Sequence, residues 1–291
     1  MTAATTNTAP APVGLRRLRM RLPGGLWIGI AILVVMGALP VLLPLLGAPD
    51  ADAINLYERF TAPGDIRHPL GTDHLGRDVL SRVAAGFGWS FLAALASTVL
   101  ALLIGAPMGL VAAERPGAAR RAILQIINLV MAFPSLVAAI CLIAIIGQGF
   151  LSLVLVLGLL TWPVFARIVY AESLSLMEKD YVIAARFMGV RQWRILLRHV
   201  LPALRPSLLA ATAFHFADML IAESALSFLG IGAPIDSATW GNMLADSRSF
   251  LYQAPWMMLT PAGAIVLVVV AANLVGDGIS TMLRGRSQRT L

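Results

Sequence analysis

The sequence predicts an all-α protein that crosses a membrane six times. Of its 291 residues, 58% are hydrophobic and only 13% are charged, whereas soluble domains carry about 25% charged residues. A helix needs about 20 apolar residues to cross ~30 Å of hydrocarbon. Windows of that kind lie at residues 26–47, 87–113, 122–146, 151–170, 206–229 and 256–282. Their continuous apolarity favours helices over the alternating strands of a membrane barrel.

Two of these windows contain residues that bear on packing. Gly105 and Gly109 in the second window are suited to close helix contact in a bundle. The fourth window is interrupted near one end by Thr161, Trp162 and Pro163, which makes it the least regular span.

Basic residues set the expected orientation, because lysine and arginine accumulate in short cytoplasmic segments. With the N-terminus inside, the outer side keeps only Arg59, Arg67, Arg77, Arg82 and Arg248. Both ends are then cytoplasmic, as tails at residues 1–25 and 283–291, and the first residues of the chain are expected to be disordered. The formal charge of +7 follows from this bias and does not require nucleic acid as a partner.

The predicted transmembrane domain, residues 26–282, includes an outer segment at residues 48–86. Leu75, Val79 and Val83 recur at helical spacing there, which predicts an amphipathic helix at the membrane interface. The polar face is Arg77, Asp78, Ser81 and Arg82, and Asp73 is placed to cap the helix. His68, Asp73 and His74 offer a weaker interpretation as metal ligands, because no further ligand follows at a recognisable spacing.

A second outer loop, residues 230–255, is rich in Gly and Pro and too long for a minimal turn. Loops of that length are usually functional or disordered. Its candidate docking residues for an external protein are Trp240, Asn242 and Tyr252. The aromatic residues equally fit an interfacial belt, and the two interpretations remain open at this point.

The inner segment, residues 171–205, is the most basic part of the chain. Gly189 divides it into two short helical stretches, and on the second Arg191, Arg194 and Arg198 share one face. The remainder of that stretch is apolar, with Trp193, Leu196, Leu197 and Val200. Pro202 and Pro206 mark the entry to the fifth span. The segment is therefore predicted to be an amphipathic element at the cytoplasmic membrane surface.

Several kinds of chemistry are missing from the sequence. Its single lysine, Lys179, follows Glu178, so the phosphate-binding loop GxxxxGK[ST] is absent. Any ATP that drives this protein is bound by another polypeptide. HExxH and GxSxG motifs are absent as well, which disfavours a membrane-embedded enzyme, although an enzyme or a scaffold remains the alternative class. The single cysteine, Cys141, forms no intrachain disulfide.

Charged residues inside membrane spans are costly and tend to face cavities or partners. In the fifth span these residues are Asp218 and Glu223, with His215 nearby. A translocation path lined by this helix explains both acids, and hydrogen bonding between helices explains them almost as well. We interpret His215 as structural.

The inner segment carries a recognisable pattern. Ala184, Ala185, Gly189, His199, Leu201 and Pro202 form AA-x3-G-x9-H-x-LP, which resembles the EAA motif of ABC importer permeases. The strings HPLGTDHLGRDVLSR (68–82), ALSFLGIG (225–232), WGNML (240–244) and NLVGDG (273–278) are similar to the C-type permeases of dipeptide, oligopeptide and nickel importers.

The resemblance implies a type I ABC importer permease fold in the bacterial inner membrane. It implies four partners besides lipid: a homologous second permease, two ATPase domains and an external substrate-binding protein. ATP and Mg²⁺ would be bound by the ATPase partners, with no cofactor in this chain. The implied cargo is a peptide, with nickel or a nickel chelate as the alternative.

By the same resemblance, the inner segment is a coupling helix that docks on an ATPase subunit. The implied coupling residues are Ala184, Ala185, Arg186, Gly189, Arg191, Arg194, Arg198, His199 and Pro202. One position departs from the motif, because Ile183 stands where its glutamate is normally found. A charge contact of that glutamate cannot be transferred, and we expect the arginine face to supply polar contacts instead.

Overall fold

The computed structural model describes residues 24–114 and 117–287, and every regular element in these ranges is helical. The predicted disorder at residues 1–14 and most of the predicted N-terminal tail lie outside the described residues. Ten α-helices occur in these ranges. They are α1 (Gly24–Leu45), α2 (Val79–Glu114), α3 (Ala118–Met131), α4 (Ser135–Ile146), α5 (Phe150–Met177), α6 (Asp180–Phe187), α7 (Gln192–Ile195), α8 (Leu201–Phe228), α9 (Trp240–Ser247) and α10 (Trp256–Ser287). Helix α10 therefore extends into the predicted C-terminal tail.

Five of the described helical segments are long and apolar enough to cross a membrane, and a sixth span is obtained if α3 and α4 count as one. The window predicted at 122–146 is not one straight helix, because α3 and α4 meet at an angle of 83°. The break lies at Phe133 and Pro134, and proline disfavours a helical conformation in the residue before it. The pair forms a broken span or a re-entrant loop.

Helix α5 is the most buried of the candidate spans. The expected interruption at Thr161, Trp162 and Pro163 does not occur, since the helix is continuous from Phe150 to Met177. All three side chains are buried, and the Thr161 hydroxyl donates a hydrogen bond to the Leu157 carbonyl at 2.7 Å. These residues pack the centre of the bundle and do not end the span.

Helices α2 and α5 approach closely at two glycines, as the sequence predicts. A Cβ atom on Gly105 would lie 2.3 Å from the Trp162 carbonyl oxygen, and one on Gly109 would lie 2.5 Å from that of Ala166. Any side chain at either position would force the two backbones apart. The Gly-x-x-x-Gly spacing therefore fixes the central helix pair of the fold.

We call residues 46–78 and 229–255 the loop end of the molecule. The two parts contact each other directly, because Arg77 pairs with Asp246 at 3.4 Å. The first part also contacts the start of α10, where the Trp256 indole donates to the Thr72 carbonyl at 3.1 Å. The opposite end carries residues 178–200 and the C-terminus of α2, and we call it the short-helix end.

The prediction of an amphipathic helix that includes Leu75 is wrong for the residues before Val79. Residues 68–78 form irregular turns, and α2 begins only at Val79. Asp78, and not Asp73, provides the cap, since its carboxylate accepts the Ser81 backbone N–H at 2.7 Å. The Asp73 carboxylate instead accepts the N–H groups of Leu75 and Arg77 and so folds the turn.

The polar side chains expected to point away from the protein are buried in it. Arg82 is 1% exposed and pairs with Asp52 at 3.0 Å, and Arg77 pairs with Asp73 at 2.6 Å. A buried guanidinium is tolerated only when it is paired. The outer segment is therefore held together by ion pairs and does not lie flat on a membrane surface.

Candidate functional site

The coupling segment, which we define as residues 180–200, is shaped by the turn at Gly189. This residue has φ +77°, in the left-handed region that glycine adopts without strain. The N–H groups of Gly189 and Val190 donate to the carbonyls of Arg186 and Ala185 at 2.9 and 3.2 Å. This is the usual glycine-terminated end of a helix, and it confirms the predicted division into two short helices.

One face of the coupling segment packs against the ends of α2 and α5. Its buried residues are Val182, Ala185, Ile195, Leu196 and Val200, and they form one apolar cluster with Ala113, Val169, Met177 and Leu204. The cluster fixes the position of both short helices on the transmembrane helices. A force applied to this segment therefore reaches α2 and α5 through direct contacts.

The opposite face is exposed and differs from the sequence prediction. Trp193 and Leu197, expected to share an apolar face with Leu196 and Val200, point outwards instead. Phe187 is 88% exposed and Met188 75%. Sequence reasoning overlooked this pair, although two large apolar residues directly before a helix-ending glycine were the available signal. The exposed face thus has large apolar side chains among its charges.

The polar residues that the family resemblance implies for coupling lie on this exposed face. They are Arg186, Arg191, Arg194, Arg198 and His199, and none of the four arginines forms an ion pair within the part of the chain that the structure describes. Ala184 is exposed beside them, whereas Ala185 is buried and acts through packing. The ring of His199 lies 6.3 Å from that of Tyr181, which joins the two short helices on this side.

The second short helix runs into the span without a break. A wide π turn at residues 196–200, in which the Leu201 N–H donates to the Leu196 carbonyl, links α7 to α8. Pro202 and Pro206 do not separate the two, because the backbone stays helical from α7 through the π turn into α8, and local π turns are a usual way for a membrane helix to accommodate proline. Residues 192–228 are therefore one continuous helical stretch.

The two acids of the fifth span have different surroundings. Asp218 is exposed on the outside of α8. Glu223 is 0% exposed, and its carboxylate accepts hydrogen bonds from Ser227 at 2.9 Å and Ser224 at 3.3 Å. Ser227 also accepts the Ala233 N–H. Within this chain Glu223 therefore ties the end of α8 to the following loop, and its predicted place in the translocation path stays a prediction.

His215 is buried in the same helix, next to the central pair. Thr98 and the Nδ1 atom of His215 are hydrogen-bonded at 3.2 Å, and the imidazole packs on Phe165 with ring centres 4.8 Å apart. These contacts join α8 to α2 and α5. They agree with the structural role that we expected.

Two of the three candidate docking residues are inside the protein. The Trp240 side chain is 0% exposed, and its indole donates to the Val83 carbonyl at 2.9 Å. The Asn242 amide donates to the carbonyls of Pro234 and Ser237 at 2.7 and 3.1 Å. Both residues stabilise the fold of the loop, and their predicted contact with an external protein stays a prediction. Tyr252 is fully exposed.

The weaker metal interpretation is not supported by the positions of its residues. His68 bonds Asp78 at 2.9 Å and Glu58 at 3.3 Å, Asp73 bonds arginine, and His74 stacks on Phe250. Within the described ranges, no group of three or more His, Cys, Asp or Glu residues is arranged to hold a metal ion.

Comparison with known proteins adds to this geometry. Residues 105–289 match the family described as binding-protein-dependent transport system inner membrane component. A putative peptide transport system permease protein of Brucella suis is 37% identical over 95% of this chain and 93% of its own length. A dipeptide transport system permease protein of Alkalihalophilus pseudofirmus is 33% identical over 88% of this chain and 84% of its own.

A glutathione transport system permease protein of Pectobacterium atrosepticum is also similar, with 37% identity over 80% of this chain and 78% of its own length. The fold resembles a chain of the MetNI methionine ABC transporter solved in inward-facing conformations. The TM-score is 0.57 at 21% identity, over 68% of this chain and 94% of that one. The match confirms the predicted type I importer architecture. The protein belongs to the binding-protein-dependent transport system inner membrane component family and is a permease subunit of an ABC importer.

Proposed function

We propose that this permease subunit imports peptides and receives the energy of ATP hydrolysis through the exposed face of its coupling segment. Permeases of this family work in the inner membrane with ATPase and substrate-binding partners. The observation that carries the proposal is the pair Phe187 and Met188, exposed beside arginines that form no ion pair in the described part of the chain, on a segment whose other face is packed against α2 and α5. Exposed apolar patches rimmed by polar residues are typical of protein interaction sites.

The contact with the ATPase is mainly apolar in this proposal. Phe187, Met188 and Ile183 enter the partner's groove, and Arg186, Arg191, Arg194, Arg198 and His199 border it. Buried aromatic and aliphatic side chains usually dominate such interfaces, and charges at the rim contribute little to affinity. We therefore expect a groove with an apolar floor and acidic or carbonyl acceptors at its edge. ATP and Mg²⁺ are bound by that partner.

The proposed orientation places the short-helix end in the cytoplasm and the loop end outside. The exposed arginines of the coupling segment support it through the positive-inside rule. The substrate-binding protein then docks on the loop end, where Tyr252, Tyr57 and Ile66 are almost completely exposed.

A second, homologous permease completes the translocation path in this proposal. Asp218 supports the arrangement, because an exposed acid within a span requires a polar cavity or a partner. The test compares two acids of the same helix. Asp218→Asn is expected to alter transport and leave assembly intact, whereas Glu223→Gln is expected to lower thermal stability. Unchanged uptake in a stably assembled Asp218→Asn importer would remove this residue from the path.

Peptide cargo is proposed from the relatives, of which two are named for peptide or dipeptide transport. Competition for uptake between labelled dipeptides, longer peptides and a nickel chelate separates the two cargo classes. Uptake of peptide that excess nickel chelate does not reduce is the expected result. The reverse pattern would favour nickel import.

The function itself is tested on the purified assembly in lipid. Its ATPase activity is expected to rise when the loaded binding protein is added, and Phe187→Glu is expected to abolish both the stimulation and the co-purification of the ATPase subunits. Ile235→Glu is a control for co-purification that adds the same charge at an exposed apolar residue of the loop end, outside the candidate spans and the coupling segment. If the unaltered chain fails to retain an ATPase, the proposal is wrong, and a membrane-embedded scaffold or enzyme becomes the better interpretation.

A further inference from the structure

A groove lies between the end of α1 and the start of α2, at the opposite end of the molecule from the coupling segment. It consists of two adjoining cavities of about 580 and 500 Å³, which share Leu43, Ala48 and Pro49 in their walls. We call the two together the α1 groove. The volume of each cavity falls within the range that is usual for pockets that bind small organic ligands.

The smaller cavity is mainly apolar, with Asp50 and Ser81 as the polar residues of its wall. Its walls come from α1 through Pro40, Leu43 and Pro44 and from α2 through Ala84 and Ala85. Both helices are candidate membrane spans. The neighbouring Leu45 and Leu46 are largely exposed, as expected for residues that face lipid. The cavity thus opens where an acyl chain can enter from the side.

The larger cavity is polar at its far wall and carries both signs of charge. Glu58, His68 and Asp78 line it, with the imidazole hydrogen-bonded to both carboxylates. The imidazole can carry at most one positive charge, so it cannot neutralise both carboxylates. The Glu58 side chain is 38% exposed and can therefore contact a cation of a ligand.

Arg67 lines the same cavity and supplies the opposite charge. It is exposed, and its guanidinium forms no ion pair within the ranges that the structure describes. An exposed guanidinium that is not engaged in an ion pair can bind a phosphate group through charge-assisted hydrogen bonds.

We propose that the α1 groove binds an aminophospholipid. An acyl chain lies between α1 and α2, the headgroup ammonium contacts Glu58, and the phosphate contacts Arg67. Along the groove, the apolar walls of α1 and α2 come first and the charged side chains of Glu58 and Arg67 follow. A phospholipid has the same sequence of groups, with acyl chains at one end and a charged headgroup at the other. A lipid whose headgroup is only anionic is disfavoured, because the Glu58 and Asp78 carboxylates repel it. The occupant is a lipid and not a protein segment, since the apolar half of the groove opens along two membrane helices.

The test uses the complete importer, purified in detergent and studied by native mass spectrometry. Phosphatidylethanolamine and phosphatidylglycerol with identical acyl chains are added at equal concentrations. We expect the intact protein to retain phosphatidylethanolamine preferentially. Glu58→Gln is expected to weaken that binding about tenfold, which corresponds to ~1.4 kcal/mol. Asp236→Asn removes the same charge from an exposed position outside the groove and is expected to have no effect.

Two further variants keep the proposal open to refutation if Glu58→Gln disturbs the fold. Arg67→Gln alters an exposed side chain and is expected to lower retention of both phospholipids, whereas Arg59→Gln, outside the groove, is not. Ala48→Trp fills the junction of the two cavities and is expected to exclude lipid. Equal retention of the two lipids by the intact protein, or unchanged retention in Arg67→Gln and Ala48→Trp, would overturn the proposal. None of these readouts depends on transport, so the result is independent of the proposed function.

Discussion

The two ends of this permease use their charged residues in opposite ways. Every ion pair in the described ranges lies at the loop end or in the first turn of α2, where the buried Arg77 and Arg82 pair with the buried Asp73, the partly buried Asp246 and the exposed Asp52. At the short-helix end the arginines are exposed and form no such pairs. Ion pairs hold the loops of the protein together at the loop end, whereas the arginines at the short-helix end are available to bind another molecule.

The largest expected effect is on stability at the loop end. Asp73→Asn leaves Arg77 and Arg82 buried without the carboxylate between them, and breaking a buried pair costs about 3–5 kcal/mol. Thermal unfolding in detergent is expected to show a clear fall in the melting temperature. The matched variant Asp180→Asn changes an exposed acid in the first turn of α6 and is expected to change stability by about 1 kcal/mol at most. Equal losses in both variants would contradict the comparison.

A smaller structural effect is expected at Gly189. Gly189→Val places a branched side chain at φ +77°, a conformation that costs L-residues about 1–2 kcal/mol. No atom lies within 4 Å of the added Cβ, so the cost is strain and not a clash. Uptake and coupled ATP hydrolysis are expected to fall at an unchanged amount of protein in the membrane. Gly189→Asn is the control, because asparagine tolerates this region, and it is expected to retain more activity.

The third prediction separates apolar from charged contact at the short-helix end. Phe187→Ala removes a large exposed ring and is expected to weaken ATPase binding by about 1.5–3 kcal/mol if the ring is buried in the complex. Arg194→Gln is expected to cost about 1 kcal/mol or less, and its effect is expected to shrink at high salt. Affinities measured at two salt concentrations check both statements. A larger loss for Arg194→Gln would show that charge dominates this contact.

The smallest expected effect concerns pH at the loop end. Burial lowers the pKa of His68, but hydrogen bonds and charge from Asp78 and Glu58 outweigh burial and leave the pKa above its usual 6.5. A raised pKa in the folded state stabilises the loop below about pH 6.5 and loses this contribution as the pH rises through the folded value. Hydrogen exchange at residues 55–78 is expected to slow as the pH falls, after correction for the intrinsic rate. His68→Gln is expected to remove that trend.

The sequence was sufficient for the apolar spans, apart from the break at Phe133 and Pro134, and for the division at Gly189, because hydropathy and a glycine turn are local signals. It was insufficient where contacts between residues far apart in the sequence determine which side chains are buried. Arg82 is buried because Asp52 and Asp73 lie beside it, and Trp240 is buried because its indole reaches the Val83 carbonyl. The apolar period from Leu75 to Val83 was misleading, since the Asp73 side chain and Gly76, at φ +74°, determine the turns before α2.

The continuous helical stretch from residue 192 to residue 228 has a mechanical consequence. At 1.5 Å per residue its 37 residues extend over about 55 Å. A tilt of only about 5° around one end displaces the other end by about 5 Å over that length. Small rotations at the proposed ATPase contact would thus become movements of roughly the width of an amino-acid side chain near the loop end. The wide turn at residues 196–200 is the point where such a lever would lose stiffness.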